Sequence, residues 1–162
     1  MYNIGVITAS DKGSRGERED ISGQTIKEML TDLGTVRHYA VVADEQAELS
    51  REMVHMADEL HLDLILTTGG TGLGPRDVTP EATLAVVEKL VPGIPEVMRA
   101  KSLEKTNRAM LSRAVAGIRG KTLIINLPGS PKGVRECLEA VLPALDHGLA
   151  ILKGEAGECA RP

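Results

Sequence analysis

The chain has 162 residues, a net charge of −4 and 42% hydrophobic residues, and its only aromatic side chains are Tyr2 and Tyr39. The length suits one globular domain, while the acidic balance and the lack of aromatic rings argue against a surface that binds nucleic acid. No uncharged stretch reaches the ~20 apolar residues of a membrane-spanning helix, and no signal peptide is recognised. The cysteines and histidines lack the spacing of a zinc site. We therefore expect a cytoplasmic protein without a structural metal and without nucleic-acid or membrane partners.

Four short apolar segments rich in β-branched residues predict strands. They lie at residues 3–8, 36–42, 62–67 and 122–127. Three of them are almost wholly apolar, as expected of strands that are covered on both faces of a sheet. The segment at 36–42 carries Arg37 and His38, which predicts the edge strand.

Helical patterns occupy the intervals between these strands. Apolar residues at i, i+3, i+4 and i+7 from Ile26 predict one helix, and a stripe over residues 49–60 predicts a second. Thr79-Pro80-Glu81 predicts the start of a third helix with Thr79 as its cap. Ser130-Pro131 begins the last helical region in the same way.

The remaining segments are less regular. Residues 92–95 predict a break before a short helix, and residues 105–108 predict a loop. Pro143 is expected to kink the last helix or to start a new one. Residues 153–162 are predicted to form a flexible tail.

Strands that alternate with helices predict parallel βαβ units with right-handed crossovers. The predicted fold class is therefore α/β, a three-layer sandwich with a mostly parallel central sheet. Because no linker or repeat divides the chain, we expect a single domain over residues 1–162.

Small, hydroxylic or acidic residues follow every predicted strand. Because ligands bind beyond the carboxyl ends of the strands in open parallel sheets, we expect these residues to form one site. They are Ser10 and Asp11 after the first strand, Asp44 after the second, Thr68, Gly69, Gly70, Thr71, Gly72 and Asp77 after the third, and Asn126, Pro128, Gly129 and Ser130 after the fourth.

The glycine-rich loop Gly69-Gly70-Thr71-Gly72 leaves backbone N–H groups uncovered, which suits phosphate oxygens. The chain lacks the G-x-G-x-x-G and G-x-x-x-x-G-K-[ST] patterns of dinucleotide and P-loop sites. Taken alone, the loop fits an ordinary turn equally well. The helix start at Ser130-Pro131 adds a second group of free N–H groups that suits an anion.

Asp77 lies five residues past Gly72, close to any phosphate that the loop holds. Because a carboxylate and a phosphate repel each other, this arrangement indicates a cation between them, and Mg²⁺ is typically held by one or two carboxylates, phosphates and water. The residues alone therefore indicate Mg²⁺ beside Asp77, whereas Asp44 alone is better explained as a turn residue. Each acid taken alone is also explained as a solvated loop residue, a helix cap or a turn residue. Lys132 and Arg113 are interpreted either as added positive charge or as solvated surface residues.

Several of these segments, in the same order, resemble the molybdenum-cofactor biosynthesis proteins of the MogA/MoaB type. The signature is Thr68-Gly69-Gly70-Thr71-Gly72, four residues, and then Asp77-Val78-Thr79-Pro80-Glu81-Ala82. Further similar blocks are residues 7–11, 44–47, 112–120 and 126–132. The resemblance covers nearly the whole chain.

The resemblance implies a molybdopterin-binding-protein-like fold, a homotrimer and molybdopterin adenylyltransferase activity, in which AMP passes from Mg-ATP to the terminal phosphate of molybdopterin and pyrophosphate is released. It places the essential carboxylate on Asp77 and a second acid on Asp44, and with it we predict that Asp77 and Asp44 hold or orient Mg²⁺. It places the glycine loop around the phosphates, Asn126 and the turn at 128–130 on the facing wall, and Ser112 in a further block of the site. A transient contact with a molybdenum-insertion protein is also implied.

Two alternatives stay open. Longer adenylyltransferases of this family carry an insertion in the last helical region, which this chain lacks between Glu139 and Leu152, and the family includes relatives with weaker or different catalytic roles. The first alternative is a non-catalytic molybdopterin-binding or scaffolding protein of the same fold, and the second is a phosphate-ester or nucleotide hydrolase. Because the chain has so few aromatic rings, we expect a pterin and an adenine to be recognised by backbone amides, hydroxyls and aliphatic walls.

Overall fold

The computed structural model describes residues 1–155, which form one six-stranded sheet flanked by helices. The strands are β1 (Tyr2–Ala9), β2 (Gly34–Val42), β3 (Leu64–Thr68), β4 (Lys89–Leu90), β5 (Ala116–Arg119) and β6 (Thr122–Leu127). The helices are α1 (Asp11–Ser14), α2 (Ile21–Met29), α3 (Gln46–Val54), α4 (Thr79–Leu84), α5 (Gly93–Leu103) and α6 (Pro131–Lys153). A π-helical turn (His55–Glu59) continues α3, and a 3-10 helix (Asn107–Leu111) follows α5.

The sheet order is β2-β1-β3-β6-β5-β4, and the first four strands in this order are parallel. They correspond to the four predicted strands, and β2 lies at the edge as predicted. β5 and β4 extend the sheet in antiparallel pairing. The sequence pattern does not predict these two strands, because β4 has two residues and β5 reads Ala-Gly-Ile-Arg without apolar alternation.

The sheet is covered on both faces, which explains the continuous apolar runs of its central strands. On one face, Val6 and Leu66 belong to a core that includes residues of α2, α5 and α6. On the other face, Ile7, Ile65 and Ile124 pack with residues of α3 and α4. Because successive side chains of a strand point to opposite faces, a strand buried on both must be apolar throughout. The predicted three-layer α/β sandwich is confirmed.

Two helix starts shape the edge of the sheet where the parallel strands end. Ser130 caps α6 as predicted, because its Oγ accepts a hydrogen bond from the N–H of Gly133 at 3.0 Å. The predicted cap at Thr79 is wrong, since Val78 occupies the cap position of α4. Thr79 lies fully buried in the first turn, and its Oγ1 has no hydrogen-bond partner among residues 1–155.

The irregular segments differ from prediction in detail. α5 begins at Gly93, inside the predicted break, and the 3-10 helix begins inside the predicted loop at 105–108. α6 continues through Pro143, so no new helix begins there. The predicted tail starts at the last residue of α6, and its residues 156–162 lie outside the described part of the chain. Within residues 1–155, no helix is both long enough and apolar enough to cross a membrane.

Candidate active site

Two cavities lie side by side at the carboxyl ends of the parallel strands. The first, here called the carboxylate cleft, has a volume of about 520 Å³. Its charged side chains are Arg18, Glu19, Asp20, Asp44 and Asp77. The second, here called the cation cavity, has a volume of about 500 Å³. Its charged side chains are Arg99, Lys105, Arg108, Lys132 and Glu136.

The glycine loop separates the two cavities. Gly69 and Gly70 line the carboxylate cleft, whereas Thr71 and Gly72 line the cation cavity. Gly69 and Gly70 have φ values of +91° and +70°, a region that other L-residues rarely adopt. A Cβ at Gly70 would also lie 2.2 Å from the Oγ1 of Thr79. Glycine is therefore required here both by conformation and by the close approach of α4.

A reciprocal pair of hydrogen bonds joins the segments that follow β1 and β2. The N–H of Asp11 donates to Asp44 Oδ2 at 2.9 Å, and the N–H of Asp44 donates to Asp11 Oδ1 at 3.0 Å. Arg76 donates to both carboxylate oxygens of Asp11 and to Glu45 Oε1, and this guanidinium lowers the pKa of Asp11. The structure therefore makes Asp11 a brace for Asp44 and does not bring it to the wall of either cavity.

Asp44 and Asp77 line the same cleft, as predicted from their positions after two strands. Burial raises the pKa of Asp44, and the neighbouring carboxylates of Asp11 and Asp77 raise it further. Asp77 Oδ2 accepts a hydrogen bond from the N–H of Gly74 at 2.9 Å. Within residues 1–155, neither Asp44 Oδ1 nor Asp77 Oδ1 receives a hydrogen bond, so each acid keeps one oxygen available in the cleft.

These two oxygens suit a hard divalent cation. Mg²⁺ takes one or two protein carboxylates and completes its octahedral shell with water and substrate phosphates. Among residues 1–155, no group of three or more His, Cys, Asp or Glu side chains could hold a metal ion. The two carboxylates present fit a magnesium ion whose remaining ligands are water and substrate phosphates.

Asp20 is a third acid of the cleft that sequence reasoning missed. Its Oδ2 accepts hydrogen bonds from Thr8 Oγ1 at 2.5 Å and from the hydroxyl of Tyr39, and its Oδ1 caps α2 through the N–H of Gly23 at 2.9 Å. Burial and the bond to Asp20 raise the pKa of Tyr39 to about 12. The position of Asp20 two residues before Ser22-Gly23 is a capping signal that could have found it.

The turn at residues 128–130 is fixed from two sides. Thr68 Oγ1 donates to the carbonyl oxygen of Pro128 at 2.7 Å, and Ser22 Oγ donates to that of Gly129 at 2.7 Å. Thr68 and Gly129 line the carboxylate cleft together with Ser10, while Pro128 and Ser130 line the cation cavity. The turn and the glycine loop thus both face the two cavities.

The cation cavity combines positive charge with an apolar wall. Ser112 lies in it as expected, beside Met98, Leu111 and Cys137. Burial raises the pKa of the Cys137 thiol, which keeps this wall uncharged. Of the described residues, no aromatic side chain lines either cavity.

Asn126 lies in neither cavity. Its side chain is fully buried, accepts a hydrogen bond from the N–H of Val115, and donates to Thr67 Oγ1 and Thr83 Oγ1. These bonds keep Asn126 off the walls of both cavities, and its contact with a ligand stays a prediction. The amide instead joins β6 to β3, to α4 and to the segment before β5.

From the sequence, Arg113 is interpreted either as added positive charge in the site or as a solvated surface residue, and the structure shows a different role. It is half-buried behind the glycine loop, where its side chain donates to the carbonyl oxygens of Gly72 and Asp77 and to the carboxylate of Glu81. It lines neither cavity. No local sequence signal reveals these bonds, because 32 to 41 residues separate Arg113 from its partners.

Comparisons with known proteins identify the family of this chain. A family model described as "Probable molybdopterin binding domain" matches residues 5–147. A curated molybdopterin adenylyltransferase of Helicobacter pylori is 50% identical over 155 residues, covering 94% of this chain and 88% of the relative. One of Escherichia coli K12 is 43% identical over 144 residues, covering 87% and 74%.

Solved structures agree with the fold. The crystal structure of the molybdopterin biosynthesis enzyme MoaB from Thermus thermophilus superposes with a TM-score of 0.90 at 52% identity, covering 98% of this chain and 100% of that one. The family model, the curated relatives and this structure all span most of the chain, including both cavities. The chain belongs to the molybdopterin-binding-domain family of molybdenum-cofactor biosynthesis.

Proposed function

We propose that this protein is a molybdopterin adenylyltransferase that uses Mg-ATP. The observation that carries the proposal is the pair of cavities of opposite charge on the two sides of one glycine loop. Two anionic substrates can approach each other there from different sides. The identity to curated molybdopterin adenylyltransferases supports the choice of substrates.

The reaction joins two phosphates. An oxygen of the terminal phosphate of molybdopterin forms a bond to the α-phosphorus of ATP, and the bond from that phosphorus to the bridging oxygen of pyrophosphate breaks. The attacking phosphate is already ionised near neutral pH, so no side chain has to remove a proton. Catalysis then depends on alignment and on neutralising charge.

Asp44 and Asp77 are the residues that would hold Mg²⁺, through the oxygens that receive no hydrogen bond within residues 1–155. A magnesium ion bound there would neutralise charge between the carboxylates and the phosphates of ATP. Asp11 and Arg76 keep Asp44 in place from behind. Together these residues orient the nucleotide so that its α-phosphate faces the glycine loop.

The backbone supplies the remaining positive potential. The glycine loop presents N–H groups close to the proposed phosphates, and the N-terminus of α6 adds its positive dipole end at Ser130. α6 has 23 residues, so its dipole is fully developed. These groups are in place before the substrates arrive, so they stabilise the transferring phosphoryl group without reorganisation.

Charge also assigns the two substrates. The carboxylate cleft repels a bare phosphate and accepts one that carries a cation, so it suits Mg-ATP. The cation cavity places Arg99, Lys105, Arg108 and Lys132 around an apolar wall, which suits the phosphate and the pterin of molybdopterin. This assignment agrees with recognition of the rings by aliphatic and backbone groups.

The test is to incubate the purified protein with Mg-ATP in the presence and absence of molybdopterin, and to measure pyrophosphate and AMP-molybdopterin by mass spectrometry. We expect equal amounts of both products with molybdopterin and neither without it. Molybdopterin binding without AMP-molybdopterin would instead identify a scaffolding protein. Steady conversion of ATP without molybdopterin would identify a hydrolase. Chelating the metal should stop transfer, and added Mg²⁺ should restore it.

The remaining predictions concern the setting of the reaction. We propose a cytoplasmic homotrimer that passes its product to a molybdenum-insertion protein, on the resemblance to the MogA/MoaB type. Light scattering at micromolar concentration tests the assembly, and a monomer would contradict it. Mass spectrometry of ligands that co-purify with the protein would show whether AMP-molybdopterin is the bound product.

A further inference from the structure

Arg113 joins three separate segments of the active site. Its Nε donates to the carbonyl oxygen of Gly72 at 2.7 Å, and its Nη2 donates to that of Asp77 at 2.8 Å. Its Nη1 donates to both carboxylate oxygens of Glu81 at 2.8 and 2.9 Å. Its backbone N–H donates to the carbonyl oxygen of Thr71 at 2.9 Å. One residue therefore bridges the glycine loop, the segment that carries Asp77, and α4.

The segment between these contacts has little other support. Residues 73–76 are exposed, and Leu73 keeps 67% of its surface accessible. Within this loop, hydrogen bonds join only Gly74 and Asp77. The N–H of Asp77 donates to the carbonyl oxygen of Gly74 at 3.0 Å, and the N–H of Gly74 donates to Asp77 Oδ2. Arg76 ties the loop to Asp11 and Glu45, but on the exposed surface. The two carbonyl oxygens that Arg113 binds lie at the two ends of this exposed segment.

We infer that Arg113 is a positioning residue that holds the Asp77 carboxylate at the proposed magnesium site by fixing the carbonyl oxygens of Gly72 and Asp77 against Glu81. This inference rests on the proposed function. Arg113 does so from behind the loop, without lining either cavity. The fork of the guanidinium is essential, because its N–H groups reach acceptor oxygens of three residues at once, whereas a lysine ammonium is a point charge.

Arg119 offers a matched control in the same chain. It donates to both oxygens of Asp58 at 3.0 and 2.7 Å and to the carbonyl oxygen of Val86 at 2.9 Å. It is comparably half-buried and lies in β5, outside both cavities. Arg113→Lys and Arg119→Lys thus remove similar bonds, and only the first affects the segment that carries Asp77.

The experiment compares the two variants by kinetics and by hydrogen exchange. Loss of a group that orients a metal ligand typically costs 10- to 100-fold, so we expect R113K to lower kcat about 10- to 100-fold and to raise the half-saturating Mg²⁺ concentration about tenfold. The KM values for ATP and molybdopterin should change less than about threefold, because Arg113 lines neither cavity. R119K should change none of these constants more than about twofold, although it lowers the thermal midpoint similarly.

Hydrogen exchange tests the inference without any substrate. The amides of residues 73–77 should exchange faster in R113K than in the wild type and in R119K. Equal exchange of this segment in R113K and R119K, or equal Mg²⁺ dependence, would overturn the inference. If the wild type makes no AMP-molybdopterin, the proposed function fails while the exchange comparison still decides the role of Arg113. If R113K does not fold, Glu81→Gln weakens the anchor of the same guanidinium and should shift exchange and Mg²⁺ dependence in the same direction.

Discussion

The carboxylate cleft and the cation cavity share one loop and one edge of the sheet, but they treat negative charge in opposite ways. The cleft concentrates Asp20, Asp44 and Asp77, and hydrogen bonds from other residues hold these three acids in place. The cavity concentrates four cations, all except Arg99 exposed, around an apolar wall. The cleft therefore holds its acids in fixed positions, whereas the cavity attracts anions through exposed positive charge.

This difference predicts which kinetic constant a substitution in each region should change. A braced acid that holds a metal ion sets the alignment of reacting phosphates, so its loss should lower kcat. An exposed cation attracts an anion through solvent, so its loss should raise a KM and depend on salt.

Asp77→Asn should produce the largest effect. Asn keeps an oxygen that can accept the N–H of Gly74, so the fold is preserved, but the variant loses the charge that would hold Mg²⁺ at the proposed site. We expect the rate of pyrophosphate release with ATP and molybdopterin to fall about 100-fold or more. Asp32→Asn, at an exposed position away from the cleft, is the control. Unchanged turnover in D77N would remove Asp77 from the mechanism.

Gly70→Ala tests the rigidity of the cleft. Gly70 has a φ of +70°, and an added Cβ would lie 2.2 Å from Thr79 Oγ1. The substitution should therefore destabilise the fold by about 1–3 kcal/mol. Gly120→Ala, in the turn between β5 and β6, shares a positive φ of +57° but has no atom within 4 Å of the added Cβ. Urea unfolding should show a larger loss for G70A, and an equal loss would mean that the loop yields to Thr79 without cost.

The double substitution Arg108→Ala with Lys132→Ala tests the cation cavity. Exposed charges contribute about 0.2–1 kcal/mol each, so the KM for molybdopterin should rise about 3- to 10-fold. The KM for Mg-ATP should stay within about twofold, because neither residue lines the cleft. Added salt should raise the molybdopterin KM of the wild type more than that of the variant, and Lys121→Ala provides the control. A larger change in the KM for ATP would reverse the assignment of the two substrates.

The two regions also differ in how much of them a sequence can predict. Much of the cleft follows from local rules, since Asp44, Gly69 and Gly70 come just after parallel strands whose ends must meet, and Asp77 lies in the loop that follows β3. The cation cavity draws its side chains from α5, the 3-10 helix and α6, whose packing no local pattern specifies. Its four cations could therefore not be recognised as a group.

Interior contacts explain the remaining differences. A polar residue directly after a buried strand can face a ligand or an internal partner, and for Asn126 the hydroxyls of Thr67 and Thr83 decide the outcome. The bonds of Arg113 cross 32 to 41 residues of sequence and appear only when α4 packs beside the loop. The short strands likewise depend on neighbours, since β5 pairs with the edge of β6 and β4 pairs with β5.

Substitution of Tyr39 should have the smallest effect on substrate binding. It tests whether the cleft binds the ring of its ligand without aromatic stacking. Tyr39→Phe removes the donor to Asp20, which keeps Thr8 and the N–H of Gly23, and should cost about 0.5–1.5 kcal/mol of stability. Tyr39→Leu removes the ring as well. Both variants should keep the affinity for ATP within about twofold, and a large loss would place a ring contact in the cleft.

The pH dependence of unfolding gives the same residue a second measurement. Because folding raises the pKa of Tyr39 from its ordinary value of 10 to about 12, the unfolded chain loses this proton first. The contribution to stability is therefore complete below pH 10 and is lost as the pH rises through about 12. Urea unfolding across this interval should show a steeper loss of stability in the wild type than in Y39F. Parallel slopes would mean that the hydroxyl of Tyr39 is not held by Asp20, and that the wall of the cleft is less rigid than its hydrogen bonds indicate.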